Sequence, residues 1–206
     1  MKSMNHADKT PHNKILVCLG DSITYGFPYG PQSSWVKVLA GKIAVMPLNR
    51  GMNGNTTSDM LHRLPEELRN PGVSHVHILG GTNDAWMESN PEYSRRCIEQ
   101  MVQMCFKKNI TPILGITTPV CTVADGGNSF FPFGLDEIIN WLNRHRVWLQ
   151  EYAAAQSIPL IDYFTPLCQT GTQIGDPFYF IDEAHLSNAG NSKMAQVAIK
   201  ALADMF

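Results

Sequence analysis

Short apolar runs alternate along the chain with longer stretches in which apolar residues recur at helical spacing. Residues 14–19 (Lys-Ile-Leu-Val-Cys-Leu) are apolar almost throughout and stop at Gly20, the pattern of a strand covered on both faces. Residues 45–49 form a weaker second strand. A third, 75–79, closes on Gly80-Gly81, and 110–117 and 158–162 supply a fourth and a fifth. Between them, Ser34 is placed to cap a helix carrying Trp35, Val36, Val38 and Leu39. Thr56, Thr57 or Ser58 can cap the next, on which Met60, Leu61, Leu64 and Leu68 share a face, with Pro65 expected to kink it or to start a new helix. Three longer helices are predicted over 91–108, 135–155 and 188–205, the first with Pro91 in its opening turn.

Strand–helix alternation of this kind predicts a parallel sheet covered on both faces. Right-handed crossovers then give an α/β fold: a three-layer α/β/α domain with a five-stranded parallel sheet in flavodoxin-like order. Residues 14–206 read as that single domain. Residues 1–13 are polar and read as a disordered leader or cloning remnant, with His6 and His12 solvated.

Composition narrows the function classes. Lys and Arg number 16 against 18 Asp and Glu, and there is no basic run, so nucleic acid is not an expected partner. No apolar run approaches the ~20 residues of a membrane-spanning helix. The five cysteines are odd in number and form no C-x-x-C pair, which fits thiols in a reducing cytoplasm better than a disulfide framework. Two matches to the N-glycosylation pattern, at Asn55 and Asn109, are read as chance without a secretory signal. Nothing in the sequence specifies an oligomeric state.

Ligands of open α/β sheets bind beyond the carboxyl ends of the strands. Three polar, Gly-rich turns fall there: Gly20-Asp21-Ser22, residues 51–54, and Gly80-Gly81-Thr82-Asn83-Asp84. Ser22, projected by a sharp turn, is a candidate nucleophile, although a serine there can equally cap the next helix. A serine hydroxyl attacks only when a base takes its proton and a third group orients that base. Asp182-Glu183-Ala184-His185 offers both, three residues apart, just before the last helix. His75 and His77 are explained by packing on a strand, and His62 and His145 are placed on helical surfaces. The Ser22 and Gly54 backbone N–H groups and the Asn83 side-chain amide are candidate donors to a developing oxyanion. Each residue has a bland alternative as a cap or a turn former. Their convergence on one sheet edge does not.

With these residues in view, the chain from Lys14 onward resembles the SGNH hydrolase superfamily, the GDSL esterases and lipases. Gly20-Asp21-Ser22-Ile23-Thr24 resembles the family's first block, with the nucleophile at Ser22. Residues 49–57 resemble the second, whose oxyanion glycine falls on Gly54. Gly81-Thr82-Asn83-Asp84 resembles the third, with its oxyanion amide at Asn83, and Asp182-Glu183-Ala184-His185-Leu186 the fifth, with the Asp and His of the triad. The resemblance implies a flavodoxin-like fold, a serine hydrolase acting on ester bonds, and catalysis with no metal or other cofactor. The G-x-S-x-G elbow, H-E-x-x-H, P-loop and G-x-G-x-x-G patterns do not occur.

The substrate expected is a small acyl ester, thioester or lysophospholipid. A carbohydrate acetylesterase is the alternative, and a non-catalytic binding module on the same fold a more distant one. The segment 118–134 bears on that choice: it is long, and carries Phe130, Phe131 and Phe133. Such a loop after the fourth strand can wall an acyl pocket as a lid, or its rings can pack beneath the following helix. Asp21 is added to these aromatics as a candidate pocket residue.

Overall fold

The computed structural model describes residues 14–88, 90–122, 131–203 and 205–206. The leader expected at 1–13 and Phe130 lie outside the described residues. Five parallel strands, β1 (Ile15–Gly20), β2 (Met46–Gly51), β3 (Val73–Leu79), β4 (Thr111–Ile116) and β5 (Leu160–Asp162), are ordered β2-β1-β3-β4-β5, the flavodoxin-like arrangement.

β1 shows why its sequence had no polar alternation. Every one of its residues is buried, and successive side chains enter opposite layers. Leu16 and Cys18 pack with Trp35, Val36 and Leu39 of α2 (Trp35–Leu39) and with Met194, Ala195 and Ala198 of α7 (Asn188–Leu202). Ile15, Val17 and Leu19 face the other layer. They meet Met60 and Leu64 of α3 (Thr57–Glu67), Ile98 and Met101 of α5 (Glu92–Lys107), and Leu149 of α6 (Leu135–Gln156). Full burial of a leucine such as Leu19 contributes about 1.5–3 kcal/mol.

Register sets the place for chemistry. Gly20, the last residue of β1, pairs with Gly51 of β2 and with Leu79 of β3, so three adjacent strands end level and release their turns side by side. Two of these turns run straight into short helices that the sequence pattern was too brief to reveal, α1 (Ser22–Tyr25) and α4 (Thr82–Met87). The turn after β2 leads into α3. There Thr56 forms a capping box with Asp59, each side chain accepting from the other residue's backbone N–H at 3.3 and 2.9 Å.

Two expectations are corrected here. No new helix starts at Pro65: α3 runs through it and ends two residues later at Glu67. The proline gives up one bond, to the carbonyl four residues before it, and the preceding turns keep the helix together. His145 is not on a helical surface: it is fully buried, stacked between Trp141 and Trp148 with ring centroids 5.0 and 5.7 Å away. It sits one turn from each of the buried residues Trp141 and Leu149, on the face that α6 turns to the sheet.

Candidate active site

Ser22 opens α1 and is 7% exposed. The turn that delivers it needs glycine at position 20, since a Cβ there would fall 2.1 Å from Thr24 Oγ1 and 2.9 Å from the Leu79 carbonyl. Asp21 is the cap of α1, its Oδ1 accepting the Ile23 N–H at 2.9 Å. That turns its side chain inward, to 1% exposure. Asp21 therefore does not line a substrate pocket, contrary to the sequence-based expectation. Burial pushes its carboxyl up to about 6, against the pull of the Ile23 amide and of His185.

His185, 163 positions along the chain, brings Nε2 to 3.0 Å from Ser22 Oγ. Its Nδ1 lies 2.7 Å from Asp182 Oδ2. The turn itself is closed by Asp182 Oδ1, which accepts the backbone N–H groups of Ala184 and His185 at 2.9 and 2.6 Å. Partial burial works to raise the Asp182 carboxyl. The bonds from the His185 ring and the two amides outweigh it and hold the group below the usual carboxylate range. An ionised carboxylate only accepts, so Nδ1 must carry the donated proton. In the neutral ring Nε2 is then bare, and Ser22 Oγ–H donates to it. The tautomer that a general base requires thus follows from the Asp182 contact. Phe27 covers the imidazole, its ring centroid 4.5 Å from that of His185.

The other two turns supply donors. Gly54 sits at φ +76°, in the left-handed region where glycine is unstrained, with no heavy atom within 4 Å of where a Cβ would be. Neither the Gly54 nor the Ser22 backbone N–H finds an acceptor among the described residues. Asn83, second in α4, donates one of its two side-chain N–H groups to the Asn55 carbonyl at 2.9 Å, which leaves the other to bond elsewhere. The next residue, Asp84, joins the same two turns from beneath by accepting the Thr57 N–H and Oγ–H at 3.0 and 2.6 Å. Below the first turn, Asn49 donates to the Thr24 carbonyl at 2.8 Å and fixes α1 against β2.

These contacts bring Ser22, His185 and Asp182 into one hydrogen-bonded line, and tie Asn83 to the turn that carries Gly54. A hydroxyl aligned with an oriented base, beside unused backbone donors, is suited to acyl transfer. A model of the GDSL-like lipase/acylhydrolase family matches residues 18–193. The chain belongs to that family. It is an enzyme that hydrolyses ester bonds.

Solved structures share the architecture. A protein from Desulfitobacterium hafniense DCB-2, described as lipolytic and of the G-D-S-L family, is 25% identical with a TM-score of 0.79, over 92% of this chain and 100% of that one. A member of the lipolytic G-D-S-L family from Veillonella parvula DSM 2008 is 24% identical, with a TM-score of 0.74 over 91% and 97% of the two chains. The aryl esterase of M. smegmatis is 18% identical, with a TM-score of 0.73 over 94% and 100%. The latter two likenesses are of fold alone. No curated protein matches the chain.

The aromatics expected over a GDSL acyl pocket part company. Phe131 packs with Trp86, Leu135 and Ile139 on the small core formed by Ala85, Val120, Ile138, Trp141 and Leu142. Phe133 is 44% exposed and lines a cleft of about 290 Å³ with Ala85, Glu88, Glu137 and Trp141. Sequence reasoning passed over two residues at this site. Phe27 gave no signal beyond its nearness to Ser22. Arg63 did give one: it lies three residues after core Met60 and one before core Leu64, at the border of the buried face of α3. Among the described residues, no helix is long and apolar enough to cross a membrane.

Proposed function

We propose that the chain is a serine esterase that hydrolyses carboxylic esters or thioesters through an acyl-enzyme. The observation that carries this reading is the continuous Ser22–His185–Asp182 line, at 3.0 and 2.7 Å. Ser22 Oγ attacks the substrate carbonyl while His185 Nε2 takes its proton, and Asp182 stabilises the resulting imidazolium. The oxyanion is received by the backbone N–H groups of Ser22 and Gly54 and by the Asn83 amide. Collapse expels the alkoxide or thiolate, protonated by His185. A water activated by the same imidazole then attacks the acyl-Ser22 bond, releasing the carboxylic acid and restoring the serine.

The test is turnover of an activated aryl ester together with fluorophosphonate labelling. Wild-type protein is expected to hydrolyse the ester and to take one label at Ser22, and Ser22→Ala to do neither while keeping its fold. Labelling that persists in Ser22→Ala would place the nucleophile elsewhere.

A second reading, carbohydrate acetylesterase, is favoured by one observation. Phe131, half-buried, packs against the small core beside Trp86, so the described aromatics do not form a continuous apolar wall for a long acyl chain. The cleft lined by Phe133 is mostly apolar but carries Glu88 and Glu137, acceptors that a hydroxylated leaving group can meet. The odd number of cysteines and the lack of a C-x-x-C pair in the sequence support a reducing, cytoplasmic setting.

A further inference from the structure

Three separate turns must hold their places to within a fraction of an ångström for the proposed oxyanion donors to work, and one side chain touches the parts that join them. Arg63 projects from α3 towards the ends of β1 and β2. Its Nη2 donates to the Gly20 carbonyl and to the Arg50 carbonyl, each at 2.8 Å. Its Nε donates to Asn55 Oδ1, also at 2.8 Å. Asn55 is the residue after Gly54, and its carbonyl accepts the Asn83 side-chain amide at 2.9 Å. Gly20 is two residues before Ser22. The guanidinium is thus one bond from the nucleophile turn, one bond from the Gly54 turn, and one residue from the atom that orients Asn83.

Satisfying two strand-end carbonyls would by itself be a structural task. The Nε bond is different. It reaches a side chain whose own backbone needs no such partner, and what it fixes is the orientation of the Asn55 peptide that receives Asn83. The planar fork of arginine serves acceptors in different directions at once, which the single ammonium of lysine does not.

We propose that Arg63 is a positioning residue for ester hydrolysis. It holds Asn55, and through the Asn55 carbonyl the Asn83 amide, in register with Ser22. The proposal rests on the reading of Gly54 and Asn83 as oxyanion donors. It never touches substrate, so its loss is expected in the chemical step rather than in binding.

The test is a double-mutant cycle between Arg63→Gln and Asn83→Ala, read as kcat and KM on an activated aryl ester. Misplaced catalytic donors cost on the order of 10²-fold, so Arg63→Gln is expected to lower kcat by about 10- to 100-fold with KM within about twofold. In the Asn83→Ala background the same change is expected to cost less than about threefold, because the group it positions has gone. Arg63→Lys is expected to restore little of the rate. A merely structural arginine would give equal, additive losses in both backgrounds, and that result overturns the proposal. Should Arg63→Gln fail to fold, Asn55→Ala removes only the Nε acceptor and leaves the carbonyl. It is expected to lower kcat by about 3- to 10-fold at unchanged KM, with the loss abolished beside Asn83→Ala. Unchanged kcat in Asn55→Ala overturns the proposal equally. Failure of the underlying reading looks different: Asn83→Ala alone would then keep its full kcat, which overturns the oxyanion assignment and the role of Arg63 together.

Discussion

At the scale of single residues, the chemistry depends on what fixes each polar atom, and Asp182 is the clearest case. Its Oδ2 decides which nitrogen of His185 is bare, and its Oδ1 ties two backbone amides into the turn that aims the ring. Asp182→Asn is expected to lower kcat by about 10³–10⁴-fold while Ser22 and the fold survive, because the amide can donate to Nδ1 and turn the wrong tautomer towards the serine. Wild-type rates across the pH range would make Asp182 a turn former and nothing more. Asn83→Ala is expected to lower kcat by about 10²–10³-fold with KM little changed, since the oxyanion exists only beyond the ground state. A risen KM at constant kcat would instead make Asn83 a substrate-binding residue. That Ser22, His185 and Asp182 come together was legible because each sits in a short local pattern, at a strand end or just before a helix. Asp21 misled for the same reason. Adjacency to Ser22 suggested the pocket, whereas the residue that caps a helix turns its carboxylate back onto the first backbone amides. Arg63 betrayed only that it borders the buried face of α3; what it binds did not show, because its partners lie 8 to 43 positions away and are mostly main-chain carbonyls.

At the scale of elements, the strands and the longer helices followed from hydrophobic periodicity, and their ends fell within a few residues of the expected ones, whereas the strand order came from the handedness of the crossovers. What periodicity could not reach were pieces shorter than its own period. α1 and α4 have four and six residues, too few to repeat a pattern, and they carry Ser22 and Asn83. The segment before α6 was ambiguous for a different reason: three aromatics in a loop are equally compatible with a lid and with a core. Among its described residues, Phe131 packs against the small core and Phe133 stands exposed on a cleft. Phe131→Ser is expected to destabilise the protein by about 1–2 kcal/mol, measured by urea unfolding, because it removes a half-buried ring from its contact with Trp86 and the small core. Phe133→Ser, at an exposed ring, is expected to change stability by less than about 0.5 kcal/mol. If the cleft it lines receives the acyl chain, that variant flattens the rise of kcat/KM with chain length, at most about fourfold per methylene in the parent, and spares acetyl esters. A flat profile in the parent enzyme, with good turnover of acetylated sugars, would remove the acyl pocket and leave the carbohydrate reading.

At the scale of the whole molecule, three buried titratable groups act on stability with opposite signs. Burial drives His77 and His145 down to about 3, in His145 with help from the positive charge of Arg95. Between that value and about 6.5 each is protonated in the unfolded chain but neutral in the native one, so stability falls as pH falls, by about 1.36 kcal/mol per pH unit for each histidine. Asp21 is raised to about 6 from 3.8. Between those values the native state holds its proton and the unfolded chain does not, so its contribution is lost as pH rises and partly offsets the histidines. Asp21→Asn keeps an acceptor for the Ile23 N–H and removes the ionisation. It is expected to gain on the parent by up to ~3 kcal/mol as pH rises from 4 to 6, which steepens the acid side of the stability profile by one proton. His145→Phe keeps a ring between Trp141 and Trp148 and is expected to flatten the same side by one proton. A packing cost from the larger ring against Gly81 shifts its curve as a whole and leaves the slope readable. Urea unfolding from pH 4 to 7 measures both slopes relative to the parent. Parallel curves for Asp21→Asn and the parent would mean that Asp21 is ionised in the native state well below pH 6, and that the carboxylate beneath Ser22 is better solvated than its 1% exposure implies.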